Sequence, residues 1–236
     1  MKPPVQLTIN GAPVTARQGD TLMEAAQAAG IFIPGLCHCP GLAPVGACRL
    51  CLVEVKGVPR LLPACVTTVA EGMRVDTETD RLKGHRKMIL ELLFSERNHV
   101  CSVCVSNGRC ELQALALRLG VTHTRFAYRY PTHDIDATHA RFNHDPNRCI
   151  LCTRCVRVCD EVEGARVWDV RGRGIHSDLI TDLDEPWGSS VSCTSCGKCV
   201  NVCPTGALFE KGMATGEMKK RTSVLPTLAA MRAHRR

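Results

Sequence analysis

Aromatic side chains are scarce. Phe, Trp and Tyr make up nine of the 236 residues, about 4%, so large rings can supply little of a core that they usually dominate. Long hydrophobic runs are missing too. The longest uncharged stretch, 25–48, is broken by Pro34, Pro40 and Pro44 and by Gly30, Gly35, Gly41 and Gly46. It reads as a loop and not as a membrane span. The opening Met1-Lys2-Pro3-Pro4 carries no apolar export segment and no twin arginine, so a cytoplasmic protein with reduced thiols is expected. No P-loop, serine triad or pair of acids stands out. Gly172-x-Gly174 meets Ser177 where a dinucleotide fingerprint needs glycine. The formal charge of +7 is uneven: 211–236 holds seven Lys/Arg against Glu217 alone, a local +6. No basic stripe is interleaved with aromatics, which argues against nucleic acid as a partner. The basic tail reads as a docking or disordered segment.

What is abundant is cysteine, with 16 residues. In a reduced compartment so many thiols point to metal rather than to disulfides. Their spacing sorts them into four groups. Cys149-x2-Cys152-x2-Cys155-x3-Cys159 is followed, after 33 intervening residues, by Cys193-x2-Cys196-x2-Cys199-x3-Cys203-Pro204. Each is the bacterial ferredoxin run, in which three close cysteines grip one cubane and the fourth ligates the other. Cys149, Cys152, Cys155 and Cys203 are thereby predicted to hold one 4Fe-4S cluster, and Cys159, Cys193, Cys196 and Cys199 its neighbour. A zinc ribbon uses separated Cys-x2-Cys pairs and has no use for the third turn. The first run ends in Cys159-Asp160 rather than Cys-Pro, which alters the local turn but not the ligand count.

The remaining groups are less regular. Cys101-x2-Cys104-x5-Cys110 supplies three thiolates, and His99 stands beside them as the fourth donor. A neutral imidazole there would leave a 4Fe-4S cluster less negative and raise its potential; zinc held by three cysteines and one histidine is the competing reading. The first group is a loop with Cys48-x2-Cys51 and Cys65 preceded by Cys37 and Cys39. A long loop with Cys-x2-Cys and a distant fourth cysteine suits a 2Fe-2S cluster, although a single Cys-x2-Cys also grips zinc. Only one of Cys37 and Cys39 is needed. Trp168 and Trp187 read as packing residues, and His123, His133, His139 and His144 as solvent-facing members of a polar loop.

Local patterns give an α+β protein. Val5, Leu7 and Ile9 alternate with polar residues ahead of the hairpin turn Asn10-Gly11. A short helix over 21–29, capped by Asp20 or Thr21 and ended by Gly30, precedes the cysteine loop and a strand over 50–55. That is the order of a β-grasp ferredoxin-like domain over 1–78. A helix over 76–95 and another over 111–119 frame a small helical 4Fe-4S domain over 79–120. A connecting loop over 121–145, a two-cluster ferredoxin-like module over 146–212 and the basic tail over 213–236 complete the chain.

This order, with Gly46-Ala47-Cys48-Arg49-Leu50-Cys51-Leu52-Val53-Glu54, Glu96-Arg97-Asn98-His99-Val100-Cys101-Ser102-Val103-Cys104 and Cys193-Thr194-Ser195-Cys196-Gly197-Lys198-Cys199, resembles the amino-terminal third of the large iron–sulfur subunit of respiratory complex I. It also resembles the front ends of iron-only hydrogenases and NAD-linked formate dehydrogenases. The short His99-x-Cys101 gap and the chain length resemble most the diaphorase-side iron–sulfur subunit of cytoplasmic NAD-reducing nickel–iron hydrogenases, the Hox type. The resemblance implies that Cys37, Cys48, Cys51 and Cys65 hold the 2Fe-2S cluster and that Cys39 is spare. It implies an electron relay with no catalytic residue of its own. The implied partners are an FMN-containing, NAD(H)-binding diaphorase subunit and the small and large nickel–iron hydrogenase subunits. The alternatives are the equivalent subunit of a formate dehydrogenase, bifurcating hydrogenase or complex I-like NADH dehydrogenase and, more remotely, a zinc-structured interaction protein. With oxidised clusters in place the four centres would contribute roughly −7, leaving a near-neutral protein with a basic tail.

Overall fold

The computed structural model describes residues 2–233, so Arg235 and Arg236 of the basic tail lie outside the described residues. The chain forms two compact units. One runs up to His38 and resumes over Pro44–Leu90; the other takes Cys39–Ala43 and everything from Glu91 onward.

The first unit is built on β1 (Pro4–Ile9) and β2 (Ala12–Arg17), followed by α1 (Leu22–Ala28), β3 (Leu52–Val55), β4 (Val58–Pro63) and β5 (Arg74–Asp76). Asn10 and Gly11 both take positive φ, 53° and 79°, the requirement of the tight turn that joins twisted antiparallel strands. Sheet order is β2-β1-β5-β3-β4, with β5 parallel to β1 and antiparallel to β3, the mixed arrangement of a β-grasp. Thr21 caps α1 through a reciprocal pair with Glu24. Leu22, Met23, Ala25 and Ala26 of that helix bury against Val5, Leu7, Ile9 and Val53 of the sheet. The next helix, α2, covers Asp80–Glu96 and starts later than the pattern suggested. Asp76 is taken by β5, where it pairs with Glu54, and Thr79 accepts from the Leu82 amide at 3.3 Å. Arg86, almost fully buried, donates to the Leu50 and Leu52 carbonyls at 3.1 Å each. It ties α2 to the segment that carries Cys51.

The second unit contains α3 (Glu111–Arg118), β6 (Phe142–His144), α4 (Arg154–Arg157), β7 (Trp168–Arg171), β8 (Asp178–Thr181), α5 (Lys198–Val202), β9 (Leu208–Glu210) and α6 (Leu225–Ala233). β6 pairs with β9 and β7 with β8, both antiparallel. The segments expected to form separate cluster domains thus share one compact body.

Two readings change. His139 and His144 are buried, not solvent-facing, because the supposed loop folds back: Phe142–His144 joins a sheet and His144 bridges to Asp136. The tail does not begin as a free arm either. Met218 and Leu225 lie in the core, the Met218 amide bonds to the Val105 carbonyl at 3.0 Å, and Lys220 donates to the Cys203 and Thr205 carbonyls. Gly41, at φ +88°, is packed so closely on Pro226 that a Cβ would stand 2.8 Å from its nitrogen. Among the described residues no helix is long and apolar enough to cross a membrane.

Candidate cluster sites

In the first unit Cys37, Cys48, Cys51 and Cys65 come together. The Cys48 amide points at Cys37 Sγ at 3.5 Å, the Leu36 amide at Cys48 Sγ at 3.4 Å, and Cys51 and Cys65 Sγ stand 3.4 Å apart. Positive φ at Gly46 (62°) and Arg49 (58°) turns the loop so that backbone N–H groups face sulfur. Hydrogen bonds from Cys48 and Cys65 hold the Cys37 thiol far below its ordinary range. Cys51 falls to about 7, chiefly through its bond to Cys65, while Cys48 and Cys65 are pushed up in exchange. Cys39 is not in this group. It belongs to the second unit's core, and burial raises its thiol despite Arg154 and Arg157 nearby.

In the second unit His99, Cys101, Cys104 and Cys110 line one cavity, together with Phe94 and Thr205. A short 3-10 turn over Cys101–Val103 brings Cys101 and Cys104 to its wall. Cys110 is the N-cap of α3, where the Leu112 and Gln113 amides favour its thiolate against the burial that raises it. The His99 ring packs edge-on to Phe94 at 5.5 Å. Burial lowers its pKa to about 4, so the ring is neutral, and it bonds to the Leu93 backbone. Its Nε2 is buried without a hydrogen-bond partner. A ring nitrogen bound to a backbone carbonyl fixes the tautomer and leaves the other nitrogen's lone pair available to a metal. Gly206 completes this wall: a Cβ there would stand 2.5 Å from Cys104 Sγ.

Cys149, Cys152, Cys155 and Cys203 make the third group. Burial pushes the Cys149 and Cys152 thiols to about 12 and about 11 and Cys155 further, and the charges of its three companions add to the rise at Cys155. Left-handed backbone at Leu151 (φ 50°) and Thr153 (φ 57°) wraps the run, placing the Leu151 amide 3.4 Å from Cys149 Sγ. Ser195 (φ 55°) and Gly197 (φ 70°) repeat the same turns at the matching positions of the second run. There Cys159, Cys193, Cys196 and Cys199 line a further cavity with Trp168 and Trp187. The Val167 amide lies 3.4 Å from Cys159 Sγ, and Cys196 alone of the sixteen thiols is exposed.

Each group of four donors in the sequence is thus gathered in space. Among the described residues no three His, Cys, Asp or Glu side chains converge on one point as a single metal ion would need; two of the sets instead line cavities. Thiol-rich donors, inward backbone amides, the partnerless His99 Nε2 and the side-chain-free wall at Gly206 all fit iron–sulfur clusters. Sequence reasoning missed the residues behind the ligands, such as Arg86 and Gly206, because no spacing links Arg86 to the Cys51 segment or Gly206 to Cys104. Gln113 and Thr205 had local cues, three residues past Cys110 and two past Cys203, whose Sγ Thr205 approaches at 3.6 Å.

Comparison with known proteins agrees with this layout. Residues 2–80 match a 2Fe-2S iron–sulfur cluster binding domain. Residues 86–125 match the NADH-ubiquinone oxidoreductase-G iron–sulfur binding region, and 140–209 the ferredoxin-like domain of NADH-quinone oxidoreductase subunit 3. The NADPH-Fe(3+) oxidoreductase subunit alpha of Geobacter sulfurreducens is 38% identical over 88% of this chain, but over only 24% of its own length; the chain spans about a quarter of that relative. The NAD-reducing hydrogenase HoxS subunit gamma of Cupriavidus necator is 33% identical over 88% of this chain and 87% of its own. A crystal structure of an NAD+-reducing [NiFe]-hydrogenase in the H2-reduced state contains a chain that superposes with a TM-score of 0.85 at 36% identity, covering 95% of this chain and 96% of that one. The chain accordingly belongs to the family of the gamma subunit of the NAD-reducing HoxS hydrogenase, which is homologous to the iron–sulfur subunit of complex I.

Proposed function

We propose that this chain relays electrons, in the cytoplasm, between a nickel–iron hydrogenase pair of small and large subunits and an FMN-containing, NAD(H)-binding diaphorase subunit. One 2Fe-2S cluster on Cys37, Cys48, Cys51 and Cys65 and three 4Fe-4S clusters would supply the one-electron carriers. The 4Fe-4S sets are His99, Cys101, Cys104 and Cys110; Cys149, Cys152, Cys155 and Cys203; and Cys159, Cys193, Cys196 and Cys199. The protein's own residues hold the thiolates at fixed spacing, direct backbone N–H groups at sulfur and bury all four thiols of the Cys149, Cys152, Cys155 and Cys203 set. The observation that carries the reading is the gathering of sixteen donors into four sets of four, with His99 Nε2 as the one non-thiol donor and without a protein partner. The placement of Cys39 in the second unit's core supports its role as the spare cysteine.

Anaerobic iron and sulfide analysis of the full chain tests the proposal. About fourteen irons per chain are expected from these assignments. A value near zero with stoichiometric zinc would overturn the relay reading, and about ten would remove one cubane.

A further inference from the structure

The cavity lined by Cys159, Cys193, Cys196 and Cys199 has an aromatic wall that ligand spacing does not explain. In a chain so poor in aromatics, both tryptophans stand there, 3% and 1% exposed. Trp187 packs between His139, at 4.6 Å between ring centroids, and Trp168, at 4.8 Å, and stacks on Phe142 at 5.6 Å. Its backbone is clamped as well: the Trp187 amide donates to Asp136 at 2.7 Å and the Gly188 amide to Thr138 Oγ1 at 2.8 Å. The rings are therefore held at set positions.

Each of three rings brings an N–H to this wall. Trp187 Nε1 is buried with no hydrogen-bond partner, a costly state for a donor unless something accepts it. Trp168 donates to Cys199 and works against the burial that raises that thiol. His139 Nδ1 accepts from the Arg141 and Phe142 amides at 3.0 and 3.2 Å, so the ring proton is on Nε2. That nitrogen lies 3.8 Å from Cys193 Sγ and 3.1 Å from Ser195 Oγ.

We infer that His139, Trp168 and Trp187 form a potential-setting wall, whose ring N–H groups raise the reduction potential of the 4Fe-4S cluster on Cys159, Cys193, Cys196 and Cys199, with Trp187 Nε1 donating to that cluster's sulfur. The inference rests on the ligand set proposed above. Hydrogen bonds to sulfur stabilise the more negative, reduced cluster more than the oxidised one. The fixed rings make that bias a property of the fold. They are positioning residues and not ligands, so removing a ring N–H should shift the potential and spare the cluster.

The test is an anaerobic redox titration of the full cluster-loaded chain, followed by EPR, for wild type and Trp187→Phe. The variant should keep its iron. Its reduction equilibrium constant at this one cluster should fall about fivefold to tenfold, which is about 40–60 mV for a one-electron couple at 59 mV per decade, with the other three centres unmoved. An unmoved midpoint in a fully loaded variant, or an equal shift at all four centres, would overturn the inference. If Trp187→Phe loses iron, benzothienylalanine at 187, which exchanges only the N–H for sulfur, decides by the same titration. A wild-type chain without this cluster's signal would instead overturn the ligand set.

Discussion

Arg154 and Glu111 offer a quantitative test of how the second unit holds its donor groups. Arg154 opens α4, one residue before Cys155, and Glu111 opens α3, one residue after Cys110. The pair is bidentate, Nη1 to Oε1 at 2.7 Å and Nη2 to Oε2 at 2.8 Å. Nη1 also donates to the Val202 carbonyl at 3.3 Å. Burial opposes the charge on Arg154, but Glu111 outweighs it and holds the guanidinium above its ordinary pKa. The perturbation is Glu111→Gln, which keeps the shape and one acceptor oxygen while removing the charge. Stripping one partner from a fully buried pair costs about 3–5 kcal/mol. The Arg154 side chain is 4% exposed but that of Glu111 is 40%, so water can replace part of the lost contact, and about 2 kcal/mol is the scaled expectation. For a chain of this size that lowers the melting temperature by about 4–8 °C. The assay is anaerobic thermal unfolding of the cluster-loaded protein, with Arg154→Met and the double variant completing a cycle. The double variant should be destabilised by about 1–2 kcal/mol less than the two singles together, since no unpaired charge is left. Glu111→Gln melting within about 1 °C of wild type would refute the reasoning.

Further outcomes follow from other particulars. Gly206→Ala places a Cβ 2.5 Å from Cys104 Sγ; it should cost about 1–3 kcal/mol by overpacking and broaden or abolish the EPR signal of the His99 cluster, and wild-type melting with an intact signal would contradict this. Cys37→Ser should remove the 2Fe-2S signal while Cys39→Ser retains it, because Cys37 bonds to Cys48 and Cys65 whereas Cys39 belongs to the second unit's core; the reverse pattern would refute the assignment. Burial lowers His144 to about 4, against the pull of Asp136, Asp145 and Asp178. The unfolded chain therefore binds the extra proton below about pH 6.5, and the stability tied to the neutral ring is lost as pH falls from there towards 4. Between pH 7 and 5 that is about 2 kcal/mol; equilibrium unfolding of His144→Phe at the two pH values should lack this loss, and an unchanged loss would assign it elsewhere.

Much of the chemistry was legible in the sequence because thiol spacing is itself a geometric constraint. A Cys-x2-Cys-x2-Cys run can present three sulfurs to one cubane only through tight turns, and Leu151, Thr153, Ser195 and Gly197 supply them with left-handed backbone. The Asn10-Gly11 hairpin and the Thr21 cap were equally local. The start of α2 was misread because Asp76 is claimed by a strand whose partner, Glu54, lies 22 positions earlier. His139 and His144 were misplaced because their polar neighbours in sequence are not their neighbours in space.

By itself, then, the sequence determined which atoms are available as ligands and in what grouping, since those follow from residue type and short-range spacing. The tertiary structure decided what surrounds each group. It put Cys39 in the second unit's core and Cys37 in hydrogen-bonding reach of Cys48 and Cys65, left His99 Nε2 without a protein partner, and brought both tryptophans to one cavity with His139 packed against Trp187. Those outcomes depend on contacts between residues far apart in the chain, and packing selects them only when the whole unit closes.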